Sequence, residues 1–145
     1  LTGSYARDIV VNIFDGKMHP VDSNEMAFKL AGRNAFKEAF KSAGPKILEP
    51  IYDMEVTVPS ELMGGVMTDL QSRRAIVMGM DSEGMNSIVK AKVPLAEMYR
   101  YSTALSSLTS GRGTYTMSFA EYEAVPTDVQ SKLLKAYEEQ TKDEE

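Results

Sequence analysis

The stretch YDMEVTVPSELMGGVMTDLQSRRAIVMGM, residues 52–80, decides the fold because its hydrophobic period changes twice. Apolar and polar side chains first alternate as far as Pro59, a pattern that predicts a half-buried strand. Apolar residues then recur every three or four positions up to the double arginine at 73–74, which is helical spacing. A short β-branched and methionine-rich run at 75–80 predicts a second strand.

The same change of period is repeated as far as Val125. A turn at 82–84 and a strand at 87–94 (SIVKAKVP) come first, followed by helical spacing from Leu95 to Leu108. A last strand is predicted in TYTMSFAEYEAV. The order of elements is therefore β-α-β-β-α-β, the ferredoxin-like plan, which places two helices on one face of a four-stranded antiparallel sheet.

The residues before this unit predict one strand and one helix. DIVVNIFDG, residues 8–16, is β-branched and aromatic and closes with a turn signal. Asp22 and Glu25 have the spacing of a capping box, so a helix is expected to start there and to end at Gly44-Pro45. ILEP, residues 47–50, is interpreted as a connector.

This first piece is incomplete as a folding unit. A single strand has no partner for its edges, and the phenylalanine-rich face of the helix would stay in water. Either the piece packs on the ferredoxin-like unit, or the chain is part of a longer protein whose upstream strands complete the sheet. A start at Leu1 favours the second interpretation.

Composition excludes several classes of protein. The 145 residues are 43% hydrophobic and 26% charged, which is typical of a soluble globular chain, and no apolar run approaches a membrane span. With no cysteine and one histidine, the sequence contains no disulfide, no thiolate site and no multi-histidine metal site. The net charge of −5 argues against binding nucleic acid by bulk electrostatics.

No catalytic motif is present. The sequence lacks a phosphate loop, a dinucleotide fingerprint and a nucleophile elbow. SGRGT, residues 110–114, fits a helix-to-strand turn better than a phosphate site. His19 lies in the loop DGKMHPVDS, where Lys17 and nearby helix amides favour an anionic partner, although a lone surface histidine is usually incidental. The double arginine at 73–74 fits either a helix C-terminus or a phosphate contact.

Four stretches resemble a known family. They are similar, in collinear order, to the C-terminal third of bacterial elongation factor G, the family of translocation GTPases. The four stretches are DGKMHPVDSNEMAFKLAG, ILEPIYDMEVTVPSELMGGVMTDLQSRRAIVMGM, KAKVPLAEMYRYSTALSSLTSGRGTYTMSF and YEAVP. The resemblance implies an α+β chain with a partial S5-like β-α unit at 1–49, the end of the fourth domain. This unit is followed by a ferredoxin-like fifth domain at 50–125 and by a C-terminal helix with an acidic tail at 126–145.

The resemblance also implies a ribosome-contacting role in translocation of tRNA and mRNA. The fourth-domain tip would meet the tRNA–mRNA duplex at the decoding centre through five loop residues, Gly16, Lys17, His19, Asp22 and Ser23. The fifth domain would lie near the stalk-base proteins and the sarcin-ricin region. Its candidate contacts to ribosomal RNA are Arg73, Arg74 and Arg112.

The resemblance implies that the chain itself is not an enzyme, because the nucleotide domain, with its GTP and magnesium, lies outside it. A cytoplasmic monomer without membrane contact is expected. The family commonly has MGDV and RRG where this chain has Met63-Gly64-Gly65-Val66 and Arg74-Ala75, and Lys17-Met18 replaces a small and aromatic pair. A housekeeping factor and a specialised paralogue for ribosome recycling or protection therefore both stay open. A third alternative, a stand-alone ferredoxin-like interaction or ligand-sensing module, also stays open.

Overall fold

The computed structural model describes residues 1–143, which form two compact units. One unit comprises Leu1–Ile47 together with the residues from Pro126 onward, and the other is Leu48–Val125. The helices and strands in chain order are α1 (Glu25–Ser42), β1 (Leu48–Pro59), α2 (Met63–Ser72), β2 (Ile76–Glu83), β3 (Asn86–Pro94), α3 (Tyr101–Thr109), β4 (Thr114–Ala124) and α4 (Thr127–Asp143). Short 3-10 turns at Ser60–Leu62 and Leu95–Met98 precede α2 and α3. The end of the expected acidic tail, Glu144 and Glu145, lies outside the described residues.

The second unit has a four-stranded antiparallel sheet in the order β2-β3-β1-β4. Val56 on β1 lies opposite both Val89 on β3 and Tyr115 on β4, so the inward-facing residues of the three strands are in register. With two helices between the strands, this is the predicted β-α-β-β-α-β order, and the α+β class is confirmed.

The core of this unit forms where the inner face of the sheet meets α2 and α3. Every second residue along most of β1 is buried because successive side chains in a strand point to opposite faces. The buried cluster consists of Met54, Val56, Val58, Val66, Leu70, Val89, Val93, Tyr101 and Leu105. This burial holds α3 and the double arginine at the end of α2 in fixed positions.

The outer face of the sheet carries paired charges. Lys90 donates to Asp81 at 2.9 Å, and Lys92 donates to Glu121 at 3.0 Å. Each hydrogen bond, with the charge of its partner, raises the pKa of the lysine and, for Glu121, lowers the pKa of the carboxyl group. These exposed pairs keep this face solvated and contribute little to stability.

The predicted strand at 8–16 is not formed. Residues 1–24 contain no helix or strand, and Val10, Ile13 and Phe14 are 84%, 89% and 95% exposed. The cause is the missing partner, because a strand without a neighbour leaves its N–H and C=O groups unpaired. For the same reason α1 buries none of its residues, although Phe36 and Phe40 stack on each other with 5.8 Å between their ring centres.

Three boundaries also differ from the prediction. The N-cap of α1 is Asn24, whose Oδ1 accepts from the Ala27 amide at 2.8 Å, so the capping box of Asp22 and Glu25 is wrong. The expected connector at 47–50 is mostly strand, since β1 begins at Leu48. The helix expected from Leu95 is a 3-10 turn followed by α3, separated at Arg100, which has left-handed backbone angles.

Candidate functional site

The loop before α1 is organised around His19. The His19 amide donates to Oγ of Ser23 at 2.7 Å, which closes a turn of five residues. Nδ1 of the His19 ring accepts from the amides of Val21 and Asp22 at 3.3 and 3.4 Å. The side chain is 65% exposed. The loop therefore holds one nitrogen of the imidazole and leaves the rest of the ring to solvent.

These contacts fix where the proton sits on a neutral His19. Because Nδ1 accepts from amides, the neutral ring carries its proton on Nε2, which becomes an outward hydrogen-bond donor. Oδ2 of Asp22 also lies 3.3 Å from Nδ1, a contact that is favourable only when Nδ1 is protonated.

The other predicted loop residues lie in the same exposed segment. Oδ1 of Asp15 accepts from the Gly16 amide at 2.8 Å, which shapes the turn before Lys17. Among residues 1–143, no ion pair involves Lys17. The five predicted residues, Gly16, Lys17, His19, Asp22 and Ser23, thus lie in one exposed segment, and the last three belong to the turn between His19 and Ser23.

Arg73 is directed into its own unit. Its Nε donates to Oδ2 of Asp69 at 2.9 Å, and Nη1 donates to the carbonyl groups of Glu97 and Tyr99 at 2.6 and 3.2 Å. Its guanidinium carbon lies 5.1 Å from the centre of the Tyr101 ring. With a side chain only 16% exposed, Arg73 fixes the segment that leads into α3.

Arg74 has an internal role as well. Nη1 and Nη2 donate to the two carboxylate oxygens of Glu49 at 2.9 and 3.0 Å, and Nε donates to Glu97 at 2.9 Å. The hydrogen bond to Glu49 is the largest cause of a raised pKa for the guanidinium. As RNA contacts, Arg73 and Arg74 therefore remain predictions, and both guanidinium groups are held by partners inside the unit.

Arg112 is the most exposed of the three predicted arginines. Nη2 lies 3.2 Å from Oε1 of Glu61, and both side chains are more than half exposed. Arg112 directly follows a shallow surface depression at the end of α3, which is lined by Ser102, Thr103, Ser106, Ser107, Ser110 and Gly111. These hydroxyl groups were not predicted from the sequence, although serines recur at helical spacing there.

The end of α3 is held tightly against β4. The Thr109 hydroxyl donates to the Leu105 carbonyl at 2.7 Å and accepts from the Gly113 amide at 2.8 Å. A Cβ atom at Gly113 would lie 2.9 Å from Oγ1 of Thr109 and 3.1 Å from Cγ of Leu105. SGRGT is thus a turn in which Gly113 is required by close packing.

Residues 1–143 hold no candidate metal cluster and no candidate membrane-spanning helix. No group of three or more histidine, aspartate or glutamate side chains is placed to hold a metal ion. No helix in this part of the chain is long and apolar enough to cross a membrane.

Comparison with known proteins gives matches over nearly the whole chain. Residues 1–44 match the family model described as elongation factor G, domain IV, and residues 46–133 match elongation factor G C-terminus. Elongation factor G of Aquifex pyrophilus is 48% identical over 134 residues, which is 92% of this chain and 19% of that protein. A crystal structure from Thermus thermophilus is 42% identical with a TM-score of 0.69, and the match covers 86% of this chain and 19% of that one.

The ferredoxin-like unit, the preceding loop and helix, and these matches define a part of a translation elongation factor. The chain belongs to the elongation factor G family. It spans about a fifth of the length of the relatives it matches.

Proposed function

We propose that this chain is the ribosome-contacting, non-catalytic C-terminal part of a factor that promotes translocation of tRNA and mRNA. The observation that carries the proposal is the loop at 15–24, where hydrogen bonds from the backbone hold His19 while its side chain stays 65% exposed. A preorganised donor in an exposed loop can contact RNA at low entropic cost. In this proposal His19 acts by contact and shape rather than by bond chemistry.

In this proposal residues 1–49 are the end of the fourth domain and 50–125 the fifth, followed by a C-terminal helix. Five loop residues meet the tRNA–mRNA duplex at the decoding centre: Gly16, Lys17, His19, Asp22 and Ser23. Lys17 supports that contact with a positive charge. The proposal assigns GTP and magnesium to a nucleotide domain elsewhere in the factor, which works as a monomer in the cytoplasm.

The second unit is proposed to contact ribosomal RNA near the stalk base and its proteins. Arg112 and the hydroxyl groups at the end of α3 support this assignment. Guanidinium and serine hydroxyl groups are common donors to phosphate oxygens, and they fix orientation without reading sequence. A few such contacts are compatible with the net charge of −5 because they do not depend on a uniformly basic surface.

Replacing His19 in a full-length elongation factor G that carries this sequence tests the proposal. We expect His19→Ala to slow translocation while ribosome-stimulated GTP hydrolysis stays near the original rate. Met18→Ala, a change at the exposed neighbouring side chain, is the matched control. Equal translocation rates for the original protein and His19→Ala would refute the contact at the loop.

A self-associating ferredoxin-like module is the second candidate. The observation in its favour is that β2 is an edge strand on which Ile76, Met78 and Met80 are 63%, 62% and 49% exposed. Exposed apolar edge strands can pair with another chain. Sedimentation of the chain over a range of concentrations separates the two, since a concentration-dependent dimer without ribosome binding would favour the module.

A further inference from the structure

Tyr99 and Arg100 form an exposed aromatic and cationic pair that the proposed function does not yet use. They lie between the 3-10 turn at Leu95–Met98 and α3. The Tyr99 residue is 75% exposed, and the guanidinium carbon of Arg100 lies 5.3 Å from the centre of its ring. The guanidinium lies over one face of the ring, and both residues are exposed, so an aromatic and a cationic group stand together at the surface.

The backbone beneath this pair is held in place although the side chains are exposed. The Tyr99 carbonyl accepts from Nη1 of Arg73 at 3.2 Å, and Arg73 is itself anchored by Asp69. The Arg100 carbonyl accepts from the Ala104 amide at 3.1 Å, in the first turn of α3. Binding a planar ligand would therefore order little of the chain, which lowers the entropic cost of the contact.

Arg100 also carries backbone strain. Its φ of +54° lies in the left-handed region that favours glycine. Among the described residues, no carboxylate forms an ion pair with its guanidinium. A strained residue whose charge has no structural partner points to a role outside folding.

We infer that Tyr99 and Arg100 form a stacking platform for an unpaired base of RNA. Aromatic rings and guanidinium planes are the surfaces on which single-stranded bases stack, and the arginine charge favours the attached phosphate. The platform is open rather than enclosed, so it accepts any base. The inference rests on the proposed ribosome contact and adds to it a specific pair of residues and the kind of nucleotide they take.

Site-specific photocrosslinking in a full-length elongation factor G that carries this sequence tests the inference. The photoreactive residue p-benzoylphenylalanine is placed at Tyr99 or, as a control, at Tyr122, an exposed tyrosine 47% accessible on β4. We expect crosslinks to ribosomal RNA from position 99 in ribosome complexes and none from position 122. Crosslinks from position 99 to a ribosomal protein alone would overturn the inference in favour of a protein partner.

The result also separates this inference from the proposed function. A factor that binds ribosomes but gives no RNA crosslink at position 99 overturns the platform and leaves the proposed function standing. An unmodified factor that does not bind ribosomes overturns both. Ribosome pelleting with the unmodified protein is therefore run beside each crosslinking reaction.

Substitutions add an independent measurement. We expect Tyr99→Leu to weaken ribosome affinity about tenfold, the loss typical of one stacked base, while Tyr99→Phe keeps the ring and the affinity. Arg100→Gly should raise the melting temperature of the chain, because glycine relieves the strained φ, and should weaken ribosome affinity at the same time. Unchanged affinity in Tyr99→Leu or in Arg100→Gly would overturn the two-residue platform.

Discussion

Arg74 and Glu49 form a two-bond ion pair, with Nη1 to Oε1 at 2.9 Å and Nη2 to Oε2 at 3.0 Å. Glu49 is 8% exposed, although it lies at the very start of the second unit. Nε of Arg74 binds Glu97, so one guanidinium joins the beginning of β1 to the segment before α3. The pair holds together parts of the chain that neither a strand ladder nor a helix connects.

We expect Glu49→Ala to lower the free energy of unfolding of the second unit by about 2–3 kcal/mol. Removing one partner of a largely buried pair leaves the other charge without its acceptor, and the partial exposure of Arg74 reduces the full penalty. Urea unfolding of the chain measures the change. Glu121→Ala is the matched control, because Glu121 is a paired glutamate on β4 that lies in solvent.

Glu121→Ala should lower the free energy of unfolding by only a small part of the loss caused by Glu49→Ala. Hydrogen exchange of the β1 amides adds a local measurement, since loss of the pair should speed exchange at the start of that strand first. Equal losses in the two variants would contradict a special role for the pair of Arg74 and Glu49.

The order of elements in the second unit was predictable because the hydrophobic period changes at each boundary. The start of β1 was not, since residues 47–50, which include Pro50, were interpreted as a connector. The structure resolves this: Pro50 pairs only with Tyr122 of β4, and the ladder to β3 begins at Ile51, so the missing N–H of proline is tolerated. Residues 8–16 show the opposite case. Their sequence has the pattern of a strand, but they form none because no neighbouring strand pairs with them.

The site was predictable in part. The loop around His19 is local, so its members could be read from neighbouring sequence. The partners of Arg74 could not, because Glu97 and Glu49 lie 23 to 25 residues from it and are brought close only by the fold. The hydroxyl groups along α3 and the pair of Tyr99 and Arg100 gave no recognised motif.

The chain is predicted to be at least as stable with phenylalanine in place of Tyr101. The residue is 1% exposed and, within the described part of the chain, its hydroxyl group has no hydrogen-bond partner. Its ring contact with Tyr115, at 4.9 Å between centres, does not need the hydroxyl. Tyr101→Phe should therefore leave the free energy of unfolding unchanged or raise it by up to about 1 kcal/mol.

Alkaline pH gives a second test at Tyr101. Burial is the main cause that raises the pKa of its phenol from 10.0 to about 12. Between these values the unfolded state loses the proton before the folded state does, so this group lowers stability as pH rises from about 10 to about 12. Unfolding curves across this range should fall more steeply for the original chain than for Tyr101→Phe. Parallel curves would contradict the raised pKa.

Replacing Gly113 or Gly64 with alanine should change the stability of the chain in opposite directions. At Gly113 a Cβ would lie 2.9 Å from the Thr109 hydroxyl oxygen, so Gly113→Ala is expected to lower stability by about 1–3 kcal/mol. At Gly64, in α2, nothing lies within 4 Å of the added atom, and alanine should raise stability by about 0.5 kcal/mol. Thermal unfolding of the two variants measures both changes. A stable Gly113→Ala would show that the end of α3 can move away from β4.

Ser23 is predicted to act on translocation through His19. Its hydroxyl oxygen accepts from the His19 amide at 2.7 Å, and this bond closes the loop that presents the imidazole. Ser23→Ala should slow translocation by up to about fivefold, the effect of losing one hydrogen bond of about 1 kcal/mol, while Ser23→Thr keeps the acceptor and restores the rate. Both variants are made in the full-length factor, and translocation is followed by the movement of fluorescent mRNA on the ribosome.

GTP hydrolysis and ribosome affinity serve as the control readouts, because a loop that is merely loosened still allows the rest of the factor to bind. If Ser23→Ala slows translocation only in a protein that retains His19, and has no further effect in His19→Ala, the hydroxyl acts through the imidazole. Independent, multiplicative losses in the double variant would instead mean that Ser23 acts separately from the imidazole of His19.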